Sequence, residues 1–205
     1  KDRRQRQMCI RDSILCAMRH EQNSLEVVNL CIEHEGVVGF DLAGPEVGFS
    51  VLNHKEASKL ANENSVNVTL HADWEVPEGI KEVVLDSGAK RVGHGSQIIN
   101  DVSFESGAIT FNNDAAKYVF DNKIALEICP TSNVQCGAYS NVSEHSFGEL
   151  YTAGFNVTIN TDNRLMSDIT MSEEVSNVVE SFGLGEKDTV SYTHLRAHET
   201  ARPLV

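Results

Sequence analysis

The sequence predicts an α/β fold in which β-strands and α-helices alternate along the chain. Short apolar or β-branched runs recur roughly every 23 to 33 residues, and a stretch with helical spacing follows each of them. This order is typical of parallel strands joined by right-handed crossovers, as in a doubly wound sheet or a (β/α)₈ barrel. With 205 residues, 40% of them apolar, the chain can bury a sizeable core.

Twelve elements are predicted. The strands are short apolar runs, at Ile14–Ala17, Val37–Asp41, Val66–Leu70, Arg91–Gly93, Ile124–Ile128 and Asn156–Ile159. The helices are predicted at Ser24–Glu35, Asn53–Asn64, Glu78–Gly88, Asp114–Asn122, His145–Ala153 and Ser172–Phe182. Ser24 is predicted to be the N-cap of the first helix, and Gly88 and Gly154 stand where a glycine ends a helix.

Polar residues at the strand ends favour the barrel over the doubly wound sheet. Nearly every predicted strand ends in a residue that packing does not explain: Arg19, His20, Asp41, His71, His94, Glu127 and Asp162. Barrel active sites collect at this edge, whereas a doubly wound sheet binds ligands at one switch point. Only six βα units fit in the chain, so we expect an incomplete barrel that lacks two units.

Three of these strand-end residues are candidates for a metal or catalytic centre. His71 follows an apolar strand, where a histidine either binds a metal or is satisfied by a backbone carbonyl. His94 has a glycine on each side, which leaves room for a bound group or simply allows a tight turn. Asp162 needs a metal, a cation or N–H donors, unless it caps the next helix. Together, two imidazoles and a carboxylate suit zinc.

Six motifs carry a family resemblance. SILCAMRH, VVGFDLAGPE, TLHADWE, RVGHG, LEICPTSN and INTDNRLMS resemble, in order, the strand-end motifs of adenosine deaminases, particularly a bacterial branch, over residues 13–190. The resemblance implies a metal-dependent (β/α)₈ barrel of the amidohydrolase superfamily, here as a C-terminal fragment with strands three to eight. It also implies zinc-dependent hydrolysis of adenosine or deoxyadenosine to the inosine product and ammonia.

The resemblance also implies roles for single residues. His71 and Asp162 match zinc ligands, and His94 matches the histidine that holds the attacking hydroxide and acts as a base. Gly44 matches a glycine whose backbone contacts the purine. Asn163 stands where many members have an aspartate that contacts N7 of the purine, and its carboxamide can keep that contact.

Two departures from the family pattern bear on activity. The family reads H-A-G-E, whereas this sequence reads H-A-D-W-E, so that Trp74 occupies the place of the glutamate that protonates N1. We expect Glu75 to act instead, with Asp73 or Glu78 as alternatives. The H-x-H zinc pair of the family occurs nowhere in the sequence. We therefore expect this chain by itself to be inactive; the alternatives are a nucleoside-binding pseudo-enzyme and a related adenine or nucleoside aminohydrolase.

Charge and composition bound the partners. The net charge is −13, but residues 1–12 and 191–205 are basic. We expect these two ends to be a non-native leader and tail; arms that bind nucleic acid are the alternative. The remaining −17 on residues 13–190 argues against nucleic acid as a partner and fits a small purine nucleoside. Neither a signal peptide nor a membrane span is predicted. Five cysteines without a C-x-x-C pair indicate reduced thiols, and hence a cytoplasmic protein.

Overall fold

The structure is a computed structural model that describes residues 12–72, 76, 78–105 and 108–185. Glu75, the predicted tail and all of the predicted leader except Asp12 lie outside these ranges. The chain divides into two compact units, residues 1–93 and 94–205. None of the helices in the described ranges has the length and apolarity that crossing a membrane requires.

The first unit is a parallel sheet with helices between its strands. β1 pairs with β2 and β2 pairs with β3, both in parallel, and Cys16 lies opposite Asp41. Its elements are β1 (Ser13–Met18), α1 (Ser24–Glu33), β2 (Val37–Ala43), a 3₁₀ turn (Val51–His54), α2 (Lys55–Glu63), β3 (Asn67–Ala72), α3 (Gly79–Lys81), a π-helical turn (Glu82–Asp86) and β4 (Arg91–His94), which ends where the second unit begins. All four strands predicted in this region are confirmed.

The core of the first unit lies along β2 and β3. Phe40, Leu42, Val68 and Leu70 are almost fully buried. Consecutive positions of both strands are buried, as expected of parallel strands that are covered on both faces.

One predicted detail of the first unit is wrong. Asn23, and not Ser24, is the N-cap of α1. Ser24 is buried, and its hydroxyl pairs with Nδ1 of the buried His54 at 2.9 Å, so it satisfies an imidazole instead of a helix end. The helix predicted over Glu78–Gly88 is found, as α-helical residues Gly79–Lys81 that continue directly into the π-helical residues Glu82–Asp86.

The second unit combines a parallel strand pair with an antiparallel hairpin. β7 pairs in parallel with β8, with Leu126 opposite Val157, and β5 pairs with β6. Its elements are a 3₁₀ turn (Ser96–Asp101), β5 (Val102–Glu105), β6 (Ala108–Phe111), α4 (Asp114–Asp121), β7 (Ala125–Ile128), α5 (Pro130–Gln135), a 3₁₀ turn (Val142–Glu144), α6 (Phe147–Ala153), β8 (Val157–Ile159), α7 (Arg164–Ser167) and α8 (Met171–Phe182). β7 and β8 confirm the prediction, whereas the hairpin, α5 and α7 are additional.

A buried carboxylate fixes the start of α5. Glu174 of α8 is fully buried and accepts hydrogen bonds from the backbone N–H of Thr131, at 2.9 Å, and from the Thr131 hydroxyl. These bonds satisfy donors at a helix start that would otherwise lack a helical partner. α8 itself begins with a capping box between Thr170 and Glu173. The start of α5, directly after β7, is therefore held by a helix that lies about 40 residues later in the sequence.

Candidate active site

The first unit holds His71 by a carboxylate. His71 is the penultimate residue of β3, and its Nδ1 lies 3.0 Å from Oδ1 of Asp41, in the neighbouring strand β2. The same oxygen accepts the backbone N–H of Leu42 at 2.7 Å. Because an ionised carboxylate only accepts, the proton of a neutral ring lies on Nδ1 and the lone pair on Nε2. Metal-binding histidines commonly have such a carboxylate partner.

An arginine fixes the backbone of the same histidine. The guanidinium of Arg19 donates from Nη2 to the carbonyl of His71 and from Nη1 to that of Phe49, the latter at 3.4 Å. The backbone carbonyl of Arg19 in turn pairs with Nε2 of His54 at 2.9 Å. Arg19 and His54 are both 3% exposed, so these contacts are buried. Arg19, the residue after β1, thereby fixes the end of β3 that carries His71.

Gly93 makes room for the His71 ring. A Cβ at Gly93 would lie 2.8 Å from both Cγ and Nδ1 of His71, a distance that real Cβ atoms do not reach. This gives Gly93 a reason that the sequence did not show, and its predicted role in leaving room beside His94 stays a prediction. The backbone of β4 approaches the His71 ring so closely that no side chain fits between them.

Gly44 follows β2 in a conformation that favours glycine. Its φ is +103°, and an added Cβ would lie 3.0 Å from Cε of Met18. A residue with a Cβ would be strained by both the backbone and the neighbour. The backbone of this residue is therefore placed at the strand end without a side chain; its contact with a purine stays a prediction.

The second unit brings two of the predicted residues together. Nε2 of His94 lies 3.9 Å from Oδ2 of Asp162. The same carboxylate oxygen accepts a hydrogen bond of 2.6 Å from the hydroxyl of Ser132. The His94 side chain is 14% exposed and that of Asp162 36%, so the pair is accessible to a small molecule.

Both residues have an unusual backbone conformation. Five non-glycine residues in the described ranges have a positive φ, and three of them, Ser65, Lys123 and Asp168, lie at or directly after helix ends. The other two are His94, at 59°, and Asp162, at 53°. Such conformations cost about 1–3 kcal/mol and cluster at functional sites. The strain supports a functional role for both residues.

Asn163 is the N-cap of α7. Its Oδ1 accepts the backbone N–H groups of Leu165 and Met166, each at 3.2 Å. The cap is thus formed by the residue after Asp162, which leaves the Asp162 carboxylate to Ser132 and His94. A contact of Asn163 with a purine would therefore use its amide nitrogen.

Sequence reasoning missed two polar residues behind His94. Nδ2 of Asn133 lies 3.3 Å from Nδ1 of His94, and Oδ1 of Asn133 lies 3.1 Å from Nε2 of His145. His145 was predicted to begin a helix, but α6 begins at Phe147 and His145 is buried ahead of it. Burial, and secondarily the charge of His94, lowers the pKa of His145 to about 4. A histidine just before a helix start was the available signal.

Cys129, directly after β7, is a buried thiol whose surroundings favour its protonated form. Burial raises the pKa of its thiol well above the ordinary value, and the carboxylates of Asp162, Glu127 and Glu174 raise it further. A thiol that stays protonated reacts poorly. The described ranges contain no group of three or more His, Cys, Asp or Glu side chains arranged to bind a metal.

Comparison with known proteins identifies the family. The family model for adenosine deaminase matches residues 2–199. The chain belongs to the adenosine deaminase family. Adenosine deaminases from Mycobacterium sp. (strain JLS) and Mycobacterium leprae (strain TN) are each 41% identical over 184 residues, which are 88% of this chain and 51% of the relative. The chain thus spans about half the length of the curated relatives it matches.

Solved structures of proteins named as deaminases have the same fold. The apo N6-methyl-AMP deaminase from Arabidopsis thaliana is similar with a TM-score of 0.78 and 26% identity, over 94% of this chain and 55% of that one. An adenine deaminase from Arthrobacter aurescens has a TM-score of 0.76 at 22% identity, over 90% and 55%. The predicted fold class, an α/β fold of the partial (β/α)₈ barrel type, is confirmed.

Proposed function

We propose that this chain supplies part of the active site of a hydrolytic deaminase that releases ammonia from C6 of adenosine or deoxyadenosine. The pair of His94 and Asp162 carries the proposal, because both side chains stand after strands, in strained backbone conformations, with Ser132 orienting the carboxylate. Family membership supports the reaction class.

Zinc is the cofactor that we propose for the complete protein. His71 and Asp162 are the proposed ligands, and the bond from His71 to Asp41 supports the assignment because it directs a lone pair to Nε2. Bound zinc lowers the pKa of water to about 7, which supplies a hydroxide near neutrality. Catalytic zinc sites typically have about three protein ligands, so two residues fit only part of such a site. We expect the rest from an H-x-H pair outside this chain.

The residues of the chain have distinct proposed roles. Asp162, held by Ser132, and His94 orient the attacking water from one side of the substrate. Gly44 contacts the purine through its backbone, and Asn163 contacts it through its amide nitrogen. Glu75 gives a proton to N1, which makes C6 more electrophilic.

The test uses a protein in which this chain follows a βα segment that carries an H-x-H pair. We expect that protein to release ammonia from adenosine, and the chain alone not to. His94→Ala and Asp162→Ala should each lower kcat/KM by about 10²–10⁴-fold. His34→Ala, at an exposed position, is the control and should leave activity unchanged. Normal turnover in either site variant would contradict the assignment.

The substrate needs a separate experiment. Structures at 26% identity carry the names N6-methyl-AMP deaminase and ADAL complexed with IMP, whereas the 41% identical relatives are named adenosine deaminases. The higher identity favours the nucleoside over the nucleotide. Ammonia release from adenosine, deoxyadenosine, AMP, N6-methyl-AMP and adenine should rank the nucleosides first. Nucleoside binding without zinc or turnover would instead indicate a pseudo-enzyme.

A further inference from the structure

The protonation of His145 is fixed by a backbone group. The N–H of Phe147 donates to Nδ1 of His145 at 2.9 Å, and a backbone N–H can only donate. Nδ1 therefore carries the lone pair. The lowered pKa of this buried ring keeps it neutral above about pH 4, so its proton lies on Nε2.

Asn133 links the protonated nitrogen of His145 to the protonated nitrogen of His94. The Nε2–H of His145 donates to the atom of Asn133 that it faces, which must be the amide oxygen, at 3.1 Å. The amide nitrogen then points the other way, 3.3 Å from Nδ1 of His94. Because an amide N–H donates, Nδ1 of His94 accepts. A neutral His94 has one proton, which is left for Nε2, the nitrogen that lies 3.9 Å from Asp162.

The surroundings keep the His145 ring in place. Tyr139 stacks on it, with ring centroids 4.0 Å apart. The hydroxyl of Tyr139 pairs with that of Ser146 at 2.8 Å, and Ser146 donates to the carbonyl of Ser96 at 2.9 Å. His145, Asn133 and Ser146 are at most 5% exposed. Water therefore competes little with these bonds.

We propose that His145 and Asn133 are positioning residues that hold His94 with its proton on Nε2, directed towards Asp162. This proposal rests on the proposed function, within which it gives His94 a different role. A neutral ring that carries its proton on Nε2 donates a hydrogen bond to the attacking oxygen and does not take a proton there.

The test is a ¹⁵N NMR spectrum of the 205-residue chain labelled at its histidine rings. At about pH 8.5, roughly two units above the ordinary histidine pKa of about 6.5, neutral rings dominate, and the two ring nitrogens differ clearly in chemical shift. The signals that His94→Gln removes identify His94. We expect its Nε2 to be protonated. A proton on Nδ1 of His94 would overturn the proposal.

Two matched pairs of variants test the hydrogen-bond relay from His145 through Asn133 to His94. Asn133→Asp keeps an acceptor for His145 but replaces the donor to His94 by an acceptor, so the His94 proton should move to Nδ1. Asn133→Leu removes both groups and should give a mixture of His94 tautomers. His145→Gln keeps a donor to Asn133 and should retain the wild-type tautomer, whereas His145→Phe should lose it. An unchanged His94 tautomer in Asn133→Asp would refute the relay.

The readout separates this proposal from the proposed function. The tautomer is measured without substrate and without turnover. An inactive protein with the His94 proton on Nε2 would contradict only the proposed function. An active deaminase with that proton on Nδ1 would contradict only the relay. Should a variant at Asn133 or His145 fail to fold, the wild-type spectrum, assigned with His94→Gln, still decides the central claim.

Discussion

Each unit holds one of the two candidate site imidazoles, but by different means. His71 in the first unit is bonded to a carboxylate, whereas His94 in the second is bonded to an amide whose own partner is a neutral imidazole. A negative partner increases the electron density of the ring and suits it to bind a cation. A neutral partner fixes the position of the proton without adding charge. These partners fit the roles proposed above, His71 as a metal ligand and His94 as a hydrogen-bond donor.

The steric means differ as well. His71 has ordinary strand geometry, and its neighbour Gly93 provides the space for the ring. His94 has a positive φ itself, so its own backbone carries the strain. We call His71, Asp41 and Gly93 the first cluster, and His94, Asn133, His145, Ser132 and Asp162 the second cluster. The stability of the first cluster should be sensitive to added side-chain volume, and that of the second to the loss of polar partners.

The largest expected effect is the loss of stability at acid pH that His145 causes. Its folded pKa, about 4, lies below the ordinary value of 6.5, so between these pH values the unfolded chain binds a proton that the folded chain does not. The free energy of unfolding should thus fall as the pH decreases from about 6.5 to about 4, by about 3 kcal/mol from this group. Urea unfolding at several pH values measures it.

The control for this titration is another histidine. His145→Gln should remove most of that pH dependence, because the variant has no ring to protonate. His34→Gln, at an exposed position, should retain it. Equal pH dependence in His145→Gln and the wild type would show that the neutral ring does not shape stability in the second unit.

The next effect is steric and tests the first cluster. Gly93→Ala should lower the free energy of unfolding by about 1–3 kcal/mol, because the added methyl group collides with the His71 ring. Gly36→Ala is the matched control, since a Cβ there meets nothing within 4 Å. Urea unfolding of both variants measures the difference. Equal stability would mean that the His71 ring moves away at little cost.

A third change removes the charge that distinguishes the two clusters. In the protein completed with an H-x-H pair, Asp41→Asn should weaken zinc binding by about 10–100-fold, because the His71 ring loses its anionic partner. Competition with a chelator measures the affinity. Asp86→Asn, at an exposed position, should have no effect. Unchanged affinity in Asp41→Asn would refute the distinction between the two partners.

The smallest effect concerns the support of the second cluster. Thr170→Ala removes the side-chain cap of α8, the helix that carries Glu174, and should cost about 1 kcal/mol of stability. Thr170→Ser keeps the hydroxyl and serves as the control. Thermal unfolding compares the two; a loss of the same size in Thr170→Ser would show that the cap is not the cause.

The strands were predictable because their signal is local. Each is a short apolar run whose neighbours in sequence determine it, and all six match within a few residues. The contacts that make the clusters are not local. His145 reaches Asn133 across 12 residues, and Asn133 reaches His94 across 39. No spacing rule connects such residues, and the choice of Asn163 over Asp162 as a cap depends on how the chain leaves β8.

The buried Glu174 carboxylate sets a practical limit on shortening the protein. It holds Thr131, which lies 43 residues earlier and next to Ser132 and Asn133. α8 is distant from these residues in the sequence, yet deleting it would release the start of α5, the helix that carries Ser132 and Asn133. Any minimal version of this protein therefore has to retain residues through the end of α8, Phe182.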